Sequence, residues 1–367
     1  MLSTWSLLEG DARARLEDLP AGSVQTCVTS PPYWGLRDYG TSTWEGGDPA
    51  CDHTGAVVRT APPGTPKQAS NAGALMVRSG DCRCGAVRVD AQLGLEPTPD
   101  AYVAGIVGVF RGVWRVLRDD GTLWLNLGDT FNSSPSNQHS GAVGANGSKA
   151  LGISVGRQAR AIAGLKLKDL VGIPWRVAFA LQADGWYLRS DIIWHKPNPM
   201  PESVSDRPTK AHEYLFLLTK SARYYYDAEA IAEQATPQQR TGRAGGYQCP
   251  ADIALAATGK RHGSTGLNGP SGDTRNRRSV WTVATQPYAE AHFATFPEDL
   301  ITPCVLAGSR EGDTVLDPFT GSGTTGVVAL NHARSFVGVE LNPAYVALAR
   351  RRIGRVAPLF SREAAAV

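Results

Sequence analysis

The sequence predicts an α/β protein in which strands alternate with helices around an open sheet. Three segments carry this prediction: a strand, helix and strand over residues 5–29, a helix and strand over residues 98–127, and a strand, glycine loop, helix and strand over residues 314–340. The chain has 367 residues, of which 42% are hydrophobic and 19% are charged. It can therefore bury a full α/β core and still carry insertions.

The N-terminal unit brings two polar segments to one edge of the sheet. Residues 5–11 are predicted to form a short buried strand that ends at Asp11, and a helix through Leu16 leads to a second strand over residues 24–29. In open α/β sheets the ligand crevice lies outside the carboxyl ends of the strands. We therefore expect Asp11 and Ser30, which follows the second strand, to share one site.

The middle of the chain alternates core segments with insertions. Residues 41–92 are rich in Gly, Pro, Ser and Thr without a sustained period, which predicts an inserted loop or lobe. Apolar residues recur on one helical face over residues 98–117, and a strand over residues 122–127 follows. Residues 132–163 contain no acidic residue. That loop either becomes ordered on substrate or is disordered without function.

The core continues to the C-terminus. A helix over residues 168–183 precedes two strand-like runs, residues 186–195 and 213–219, and a basic helix ends near Arg355. The predicted core consists of residues 1–40, 93–226 and 280–367, and its middle part contains a mobile loop over about 131–165. An insertion over residues 41–92 and a basic glycine-rich region over residues 227–279 separate the three core segments.

A glycine loop near the C-terminus predicts a nucleotide-like cofactor. Gly321-Ser322-Gly323-Thr324-Thr325-Gly326 follows a buried strand that ends at Asp317, and Glu340 closes the next strand. Such a loop lets the backbone approach a ligand closely, and an acid at that position can accept both ribose hydroxyls. Only 27 residues follow Glu340, too few for the second nucleotide half of an NAD domain. No Lys follows the last glycine, which excludes a Walker A loop.

The turn Ser30-Pro31-Pro32-Tyr33 is suited to hold an exocyclic amine. Methylation of such an amine requires its lone pair to leave conjugation with the ring, and acceptors aimed at the N–H groups achieve this. Ser30 Oγ and the Pro31 carbonyl would be the acceptors, the prolines fix the turn, and Tyr33 offers a stacking face for an extruded base. Because direct transfer to nitrogen needs no cysteine nucleophile, we expect Cys27 to pack inside its strand.

The two motifs together resemble the amino-methylating DNA methyltransferases of the beta class, in which the target-amine motif precedes the cofactor motif. The resemblance covers residues 1–40, 95–130, 165–225 and 280–355. It implies a circularly permuted, Rossmann-like fold of S-adenosylmethionine-dependent methyltransferases. That α/β fold has a mixed seven-stranded sheet with helices on both faces, inserted loops and a target-recognition region.

The resemblance also implies roles for individual residues. The loop backbone would hold the methionine part of S-adenosylmethionine, Phe319 would pack beside the cofactor, Glu340 would bind the ribose, and Asp11 would border the adenine. The segment from His292 to Pro297 matches the entry to the helix before the cofactor loop. Predicted cofactor-binding residues are Asp11, Asp317, Phe319, Gly321, Ser322, Gly323, Thr324 and Glu340; predicted catalytic residues are Ser30, Pro31, Pro32 and Tyr33.

The target base is predicted less directly. Family members with Ser at the first motif position more often methylate N4 of cytosine, and the form Thr29-Ser30-Pro31-Pro32-Tyr33 favours the same base. Cytosine and adenine both present an amine conjugated to a ring, so Ser30 alone does not decide. We expect N4-cytosine methylation of double-stranded DNA after base flipping, with N6-adenine as the alternative. An RNA or protein methyltransferase, a non-catalytic DNA-binding protein and an NAD-dependent oxidoreductase are more remote alternatives.

A basic segment follows the hairpin where this family keeps its target-recognition region. The net charge of +3 is small, but seven Lys or Arg residues lie between residues 239 and 280, against Asp252 and Asp273. Their side chains would contact phosphate and guanine, or else belong to a solvated flexible loop. The predicted DNA-binding residues are Arg240, Arg243, Lys260, Arg261, Arg275, Arg277 and Arg278.

Four soft ligands in the insertion predict a structural zinc site. Cys51 and His53 form one pair, and Cys82 and Cys84 form another. An intracellular protein keeps such thiols reduced for zinc, and disulfides are not expected. Unligated cysteines in a disordered loop are the alternative. The motif of a zinc deaminase is absent, so any metal here would be structural.

The sequence also limits where the chain is found. We expect no secretion signal, because residues 1–5 show no basic region followed by an apolar one. The longest apolar run, residues 101–113, is interrupted by Arg111 and is shorter than the roughly 20 residues that span a bilayer. We expect a soluble cytoplasmic protein of a prokaryotic cell or a phage-infected host. Double-stranded DNA is the expected partner, a separate restriction endonuclease would be a further one, and the chain would be a monomer or homodimer.

Overall fold

Among the residues that the computed structural model describes, nine strands form the central sheet. From one edge to the other they are β12 (Val280–Thr282), β8 (Tyr187–His195), β9 (His212–Thr219), β7 (Leu117–Leu127), β2 (Val24–Thr29), β13 (Thr314–Asp317), β14 (Ser335–Glu340), β1 (Ser3–Glu9) and β15 (Ser361–Glu363). The structure describes residues 3–35, 41, 43–52, 57–59, 76–78, 82, 84–132, 165–235, 274–286, 296–356 and 361–364.

The sheet is mixed because one strand runs against the others. β9 pairs antiparallel with β7 and β8, and every other neighbouring pair is parallel. The two ends of the chain interleave, since Trp5 pairs with Phe336 and Val315 pairs with Thr26. The chain leaves β13 toward β14 and leaves β2 toward β7, on the other side. The crevice between β13 and β2 is therefore a topological switch point.

Six helices in the described part of the chain cover the two faces of the sheet. On one face, α1 (Ala12–Glu17), α2 (Pro99–Val116) and α3 (Ile173–Ala183) contribute to one buried apolar cluster. On the other, α4 (Glu298–Gly308), α5 (Thr324–Asn331) and α6 (Pro343–Ile353) contribute to a second. The sheet thus has an apolar layer on each side, as a sheet with many parallel strands requires.

Helix α2 shows how the sequence determines an element. Thr98 caps its N-terminus, with the side chain accepting a hydrogen bond from Ala101 N at 3.1 Å, and Pro99 occupies the first turn, where no N–H is needed. Tyr102 and Phe110 are fully buried on the inner face. Burial of such a side chain contributes about 2 kcal/mol to stability.

The remaining strands belong to small two-stranded sheets outside the central one. β3 (Thr43–Glu45) pairs antiparallel with β6 (Val87–Val89), so the two ends of the 41–92 insertion meet in one stem. The other pairs are β4 (Val57–Arg59) with β5 (Met76–Arg78) and β10 (Glu233–Gln234) with β11 (Thr274–Arg275).

The predicted α/β fold is confirmed. The seven strands from β8 to β1 form the expected mixed sheet, and β12 and β15 extend it at the two edges by three-residue strands. The strand predicted over residues 122–127 is longer in the structure, where β7 begins at Leu117 directly after α2. Cys27 is fully buried in β2, as expected. Within the described residues, no helix has the length and apolar character needed to cross a membrane.

Candidate active site

One large cavity lies at the carboxyl ends of the parallel strands. Its volume is about 1100 Å³, and both ends of the chain line it. It therefore lies at the topological switch point where the sequence places the site. Lining residues that matter for the chemistry are Asp11, Ser30, Pro31, Pro32, Tyr33, Asn126, Lys196, Lys210, Glu213, Phe319, Gly321, Ser322, Thr324 and Glu340.

The Ser-Pro-Pro-Tyr turn is held at the end of β2. Ser30 Oγ donates a hydrogen bond to Tyr33 Oη at 3.3 Å, and the buried Tyr102 of α2 donates from its hydroxyl to the Pro32 carbonyl at 2.8 Å. Among the described residues, the Pro31 carbonyl accepts no hydrogen bond. Ser30 Oγ and this carbonyl are thus able to accept hydrogen bonds, and their binding of an amine stays a prediction.

Behind Tyr33 lies a polar network that sequence reasoning missed. Tyr33 Oη lies 2.7 Å from Glu213 Oε2 and 2.9 Å from Asn126 Oδ1, and its one proton is assigned to the nearer, charged oxygen. Asn126 Nδ2 donates to the same Glu213 oxygen at 3.3 Å. Lys196 Nζ forms an ion pair with Glu213 Oε1 at 2.5 Å. Burial, and next the charge of Glu213, raise the pKa of Tyr33 well above its ordinary value. The phenol therefore remains a proton donor at neutral pH.

Weak signals for this network were present in the sequence. Asn126 interrupts the apolar run of β7, and Glu213 stands at the start of the apolar strand β9. A buried polar residue inside an apolar strand requires a partner. The partner lies 87 residues away, so only the sheet order, which places β9 beside β7, brings the two together.

Asp317 joins the two halves of the site. Its carboxylate accepts hydrogen bonds from Thr29 Oγ1 at 2.6 Å, from Thr325 Oγ1 at 2.6 Å and from Phe319 N at 3.0 Å. The residue is 1% exposed, and burial raises the pKa of its carboxyl to about 6. Asp317 lies behind the cavity wall and shapes the loop that follows.

The glycine loop turns sharply and leads into α5. Gly321 and Gly323 have φ of 53° and 84°, a region that favours glycine. Arg352 of α6 donates to Ser322 Oγ at 3.1 Å and to Thr324 Oγ1 at 2.9 Å, which fixes both hydroxyls. The unpaired N–H groups of the first turn of α5 lie beside this loop, where they favour negative charge.

Glu340 and Asp11 stand at the ends of adjacent strands. Glu340 Oε2 accepts from Gly321 N at 2.8 Å and Oε1 accepts from Asn342 N at 2.8 Å, so each oxygen retains a lone pair for a ligand. Burial raises the pKa of Glu340 above its ordinary value. Asp11 caps α1 through Arg13 N at 2.8 Å and pairs with the Arg13 guanidinium at 3.1 Å. Both carboxylates line the cavity.

The predicted DNA-binding arginines have partners within the protein where the structure describes them. Arg275 and Arg278 pair with Glu233 Oε2 at 3.2 and 2.9 Å, and Arg277 lies over the Trp281 ring, 4.6 Å from its centroid. The structure brings the three together at one small sheet. The other four, Arg240, Arg243, Lys260 and Arg261, lie outside the described residues.

The predicted zinc ligands are partly described. Cys51, Cys82 and Cys84 lie close together at the stem of the insertion. His53, and the 292–295 part of the segment before α4, lie outside the described residues.

The Ser-Pro-Pro-Tyr turn and the glycine loop line the same cavity at the switch point of this sheet. This arrangement is typical of a methyltransferase site. The DNA methylase family matches residues 24–351, nearly the whole chain. The chain belongs to this family and is a DNA methyltransferase of its N4/N6 amino-methylating type.

Known relatives agree with that assignment. The type II methyltransferase M.Cfr9I of Citrobacter freundii is 43% identical over 348 residues, 95% of this chain and 87% of the relative. M.SmaI of Serratia marcescens is 40% identical over 96% of this chain and 92% of its own length. The solved structure of the PvuII DNA methyltransferase, described as cytosine-N4-specific, is 15% identical to this chain and superposes with a TM-score of 0.54. The match covers 100% of this chain and 97% of that one, so the two proteins share the fold.

S-adenosylmethionine is the cofactor of this family, and the residues present fit it. Glu340 would offer two carboxylate oxygens to ribose hydroxyls, the first turn of α5 would favour the methionine carboxylate, and Phe319 would supply an apolar surface in the cavity. Gly321, in the loop that lines the cavity, has a φ of 53°, which is unfavourable for any residue with a side chain. The cavity volume of about 1100 Å³ leaves room for a base beside the cofactor.

Proposed function

We propose that this DNA methyltransferase modifies N4 of cytosine in double-stranded DNA, after the base is flipped into the cavity. The target base is supported by Ser30 at the first motif position, preceded by Thr29, a form that favours cytosine among related enzymes. The observation that carries the proposal is the direct link between the two motifs. Thr29, next to Ser30, donates to Asp317 at 2.6 Å, just ahead of the glycine loop.

The turn would activate the amine by accepting its two N–H groups. Ser30 and Pro31 line the cavity. Hydrogen bonds to Ser30 Oγ and the Pro31 carbonyl would draw the nitrogen lone pair out of conjugation with the ring. S-adenosylmethionine, when bound, supplies an electrophilic methyl group on sulfur. Ser30 Oγ and the Pro31 carbonyl would hold the amine so that its lone pair points toward that methyl group. Transfer would leave the sulfur as a thioether, and the proton displaced from the nitrogen would pass to water.

The network behind the turn would strengthen the acceptors. Ser30 donates to Tyr33, and Tyr33 donates to the Glu213 carboxylate, so the hydroxyls form a chain that ends on a negative charge. Hydrogen bonds in such a chain polarise one another in a buried site. Ser30 Oγ then carries more negative charge and accepts more strongly from the amine.

Two lysines would help to hold the flipped nucleotide. Lys210 Nζ is buried and has no hydrogen-bond partner among the described residues, and burial lowers its pKa. Lys196 lies nearby on the same cavity wall. A backbone phosphate would supply the missing acceptors for Lys210. The basic segment over residues 227–279 would contact the flanking duplex. DNA phosphates would then replace Glu233 as the ion-pair partners of Arg275 and Arg278.

The curated relatives are named type II methyltransferases. We therefore propose that this chain protects DNA from a separate endonuclease of the same sequence specificity.

Nucleoside mass spectrometry tests the proposed function. The purified protein is incubated with unmethylated DNA and S-adenosylmethionine, and we expect N4-methylcytosine. Ser30→Ala removes one acceptor and should lower kcat about 100-fold or more, because loss of one preorganised hydrogen-bonding group typically has that effect. Cofactor affinity, measured by calorimetry, should remain unchanged.

Ser190→Ala is the matched control, since Ser190 is a half-buried residue of β8 outside the cavity lining and its hydroxyl donates to the neighbouring Asp191 carbonyl. N6-methyladenine as the product would contradict the target base and retain the mechanism. Full activity of Ser30→Ala would contradict the role of the turn.

A further inference from the structure

Three cysteines converge at the stem of the 41–92 insertion. The sulfur atoms of Cys51, Cys82 and Cys84 all lie within 4.8 Å of one another, and Cys51 Sγ is 3.7 Å from Cys82 Sγ. A tetrahedral zinc ion with Zn–S bonds of about 2.3 Å places its sulfur ligands about 3.8 Å apart. A disulfide requires about 2.05 Å. The observed spacing therefore fits ligands of one metal ion and not a bonded pair.

The backbone around the sulfur atoms is folded closely onto them. Cys82 N donates to the Ala86 carbonyl at 2.7 Å, and Gly85, with φ of 87°, closes the turn. Backbone groups of Asp48 and Ala86 bond to the Cys84 sulfur. A Cβ at Gly47 would lie 2.8 Å from that sulfur and 2.6 Å from Ala86 N, so only glycine fits there.

We propose that Cys51, Cys82 and Cys84 bind a structural Zn²⁺ ion. Three thiolates form a soft donor set that selects zinc over magnesium or calcium. The sequence predicts His53 as the fourth ligand, but the proposal rests on the three sulfur atoms. The cluster is built into a stem and not into the cavity, so the ion holds structure and takes no part in methyl transfer.

The stem connects this metal site to the catalytic turn. β6 follows Cys84 and leads to Gly94, whose carbonyl accepts from Gly35 N at 2.7 Å. A Cβ at Gly94 would lie 2.9 Å from the Tyr33 carbonyl, so the two backbones are in direct contact. Trp34 Nε1 also donates to the Glu96 carbonyl at 3.0 Å. Zinc would therefore stabilise the segment that supports Tyr33.

Metal analysis of the purified chain tests the proposal without any activity assay. Protein produced in zinc-supplemented medium should contain about one Zn²⁺ per chain by plasma mass spectrometry. The double variant Cys82→Ser, Cys84→Ser should lose it, and Cys304→Ala should keep it, because Cys304 is buried in α4 outside the cluster. Zinc in the double variant at the wild-type level would overturn the proposal.

Cobalt substitution of the wild-type chain keeps the test valid if the double variant fails to fold. Co²⁺ added to metal-free protein should give the thiolate-to-cobalt charge-transfer absorption of a tetrahedral site, and Zn²⁺ should displace it. Absence of this absorption, or a disulfide between Cys51 and Cys82 in the freshly purified protein, would overturn the proposal. Since none of these measurements involves DNA, they are independent of the proposed methylation.

Discussion

At the residue scale, Tyr33 is the centre of the candidate active site. The sequence predicts its ring as a stacking face for the base, and that role stays a prediction. The structure adds a role for its hydroxyl, which lies between Ser30 Oγ at 3.3 Å and Glu213 Oε2 at 2.7 Å. The ring packs closely on the backbone, since a Cβ at Gly128 would lie 2.5 Å from it. The hydroxyl is therefore held in one position.

Glu213→Gln tests whether charge on this network matters for catalysis. We expect kcat to fall about tenfold while the affinity for S-adenosylmethionine is unchanged, because a charge-assisted hydrogen bond is about twice as strong as a neutral one. Tyr33→Phe should cause a similar loss. In the double variant the losses should not add, since both changes interrupt the same chain of hydrogen bonds. Single-turnover methylation of DNA measures all three.

A purely structural role for Glu213 predicts a different pattern. It would lower the melting temperature of Glu213→Gln and weaken cofactor binding as well, with kcat unaffected in the fraction that remains folded. Additive losses in the double variant would contradict coupling through Tyr33. The control is Asp184→Asn, which neutralises a carboxylate that pairs with the exposed Arg111.

What the sequence predicts at this scale depends on local motifs. Ser30, Phe319 and Glu340 stand in short patterns whose chemistry can be read from neighbouring residues, and all three line the cavity. Glu213 and Lys196 have no such pattern. Their position follows from the pairing of β8 with β9 and of β9 with β7, which no local motif encodes.

At the element scale, the glycine loop depends on its packing against α6. Gly323 has φ of 84°, and a Cβ there would lie 3.1 Å from both Ala349 Cβ and Ile353 Cδ1. The loop backbone therefore packs directly against side chains of α6. Arg352 adds hydrogen bonds from the same helix to Ser322 and Thr324. The position of α6 thus fixes the shape of the predicted cofactor site.

Gly323→Ala and Gly312→Ala separate backbone strain from crowding. Both glycines have φ of 84°, but a Cβ at Gly312 meets no atom within 4 Å. Each variant should lose about 1 to 2 kcal/mol of unfolding free energy from the strained φ. Gly323→Ala should lose about 1 to 3 kcal/mol more from crowding, and it alone should weaken cofactor binding. Denaturant unfolding and calorimetry measure the two effects, and equal results for both variants would contradict the packing argument.

The sequence predicts long elements better than short ones. α2 is predicted over residues 98–117 and observed over Pro99–Val116, because its apolar face and its N-terminal cap are local signals. β12 and β15 have three residues each and form at the sheet edges, next to β8 and β1. A three-residue run carries too little pattern to predict, and its pairing depends on tertiary contacts.

At the scale of the whole molecule, the two ends of the chain fold as one sheet. β1 and β2 come from the first 30 residues, while β13 and β14, which lie between them, come from residues after 313. The resemblance to the permuted methyltransferases predicted this arrangement, although composition and periodicity alone would not have. Residues 315 and 26 pair in the finished sheet, so contacts of high sequence separation must form during folding.

Asp317 lies where these two ends meet, and its titration should appear in the stability of the whole protein. Its carboxyl is 1% exposed, and burial raises its pKa to about 6, from an ordinary value of 3.8. The folded state therefore binds this proton more tightly than the unfolded state. The resulting stabilisation is fully present below about pH 4 and is lost as the pH rises through about 6, by at most about 3 kcal/mol.

Comparison with Asp317→Asn isolates this effect from the other titrating groups, which both proteins share. Urea unfolding at several pH values measures the unfolding free energy of both proteins. The value for the wild type minus the value for the variant should fall as the pH rises from 4 to 7. The hydrogen bonds from Thr29, Thr325 and Phe319 N act in the opposite direction, because they stabilise the ionised carboxylate. A difference that rises with pH would mean that these three donors outweigh burial and that Asp317 is ionised throughout.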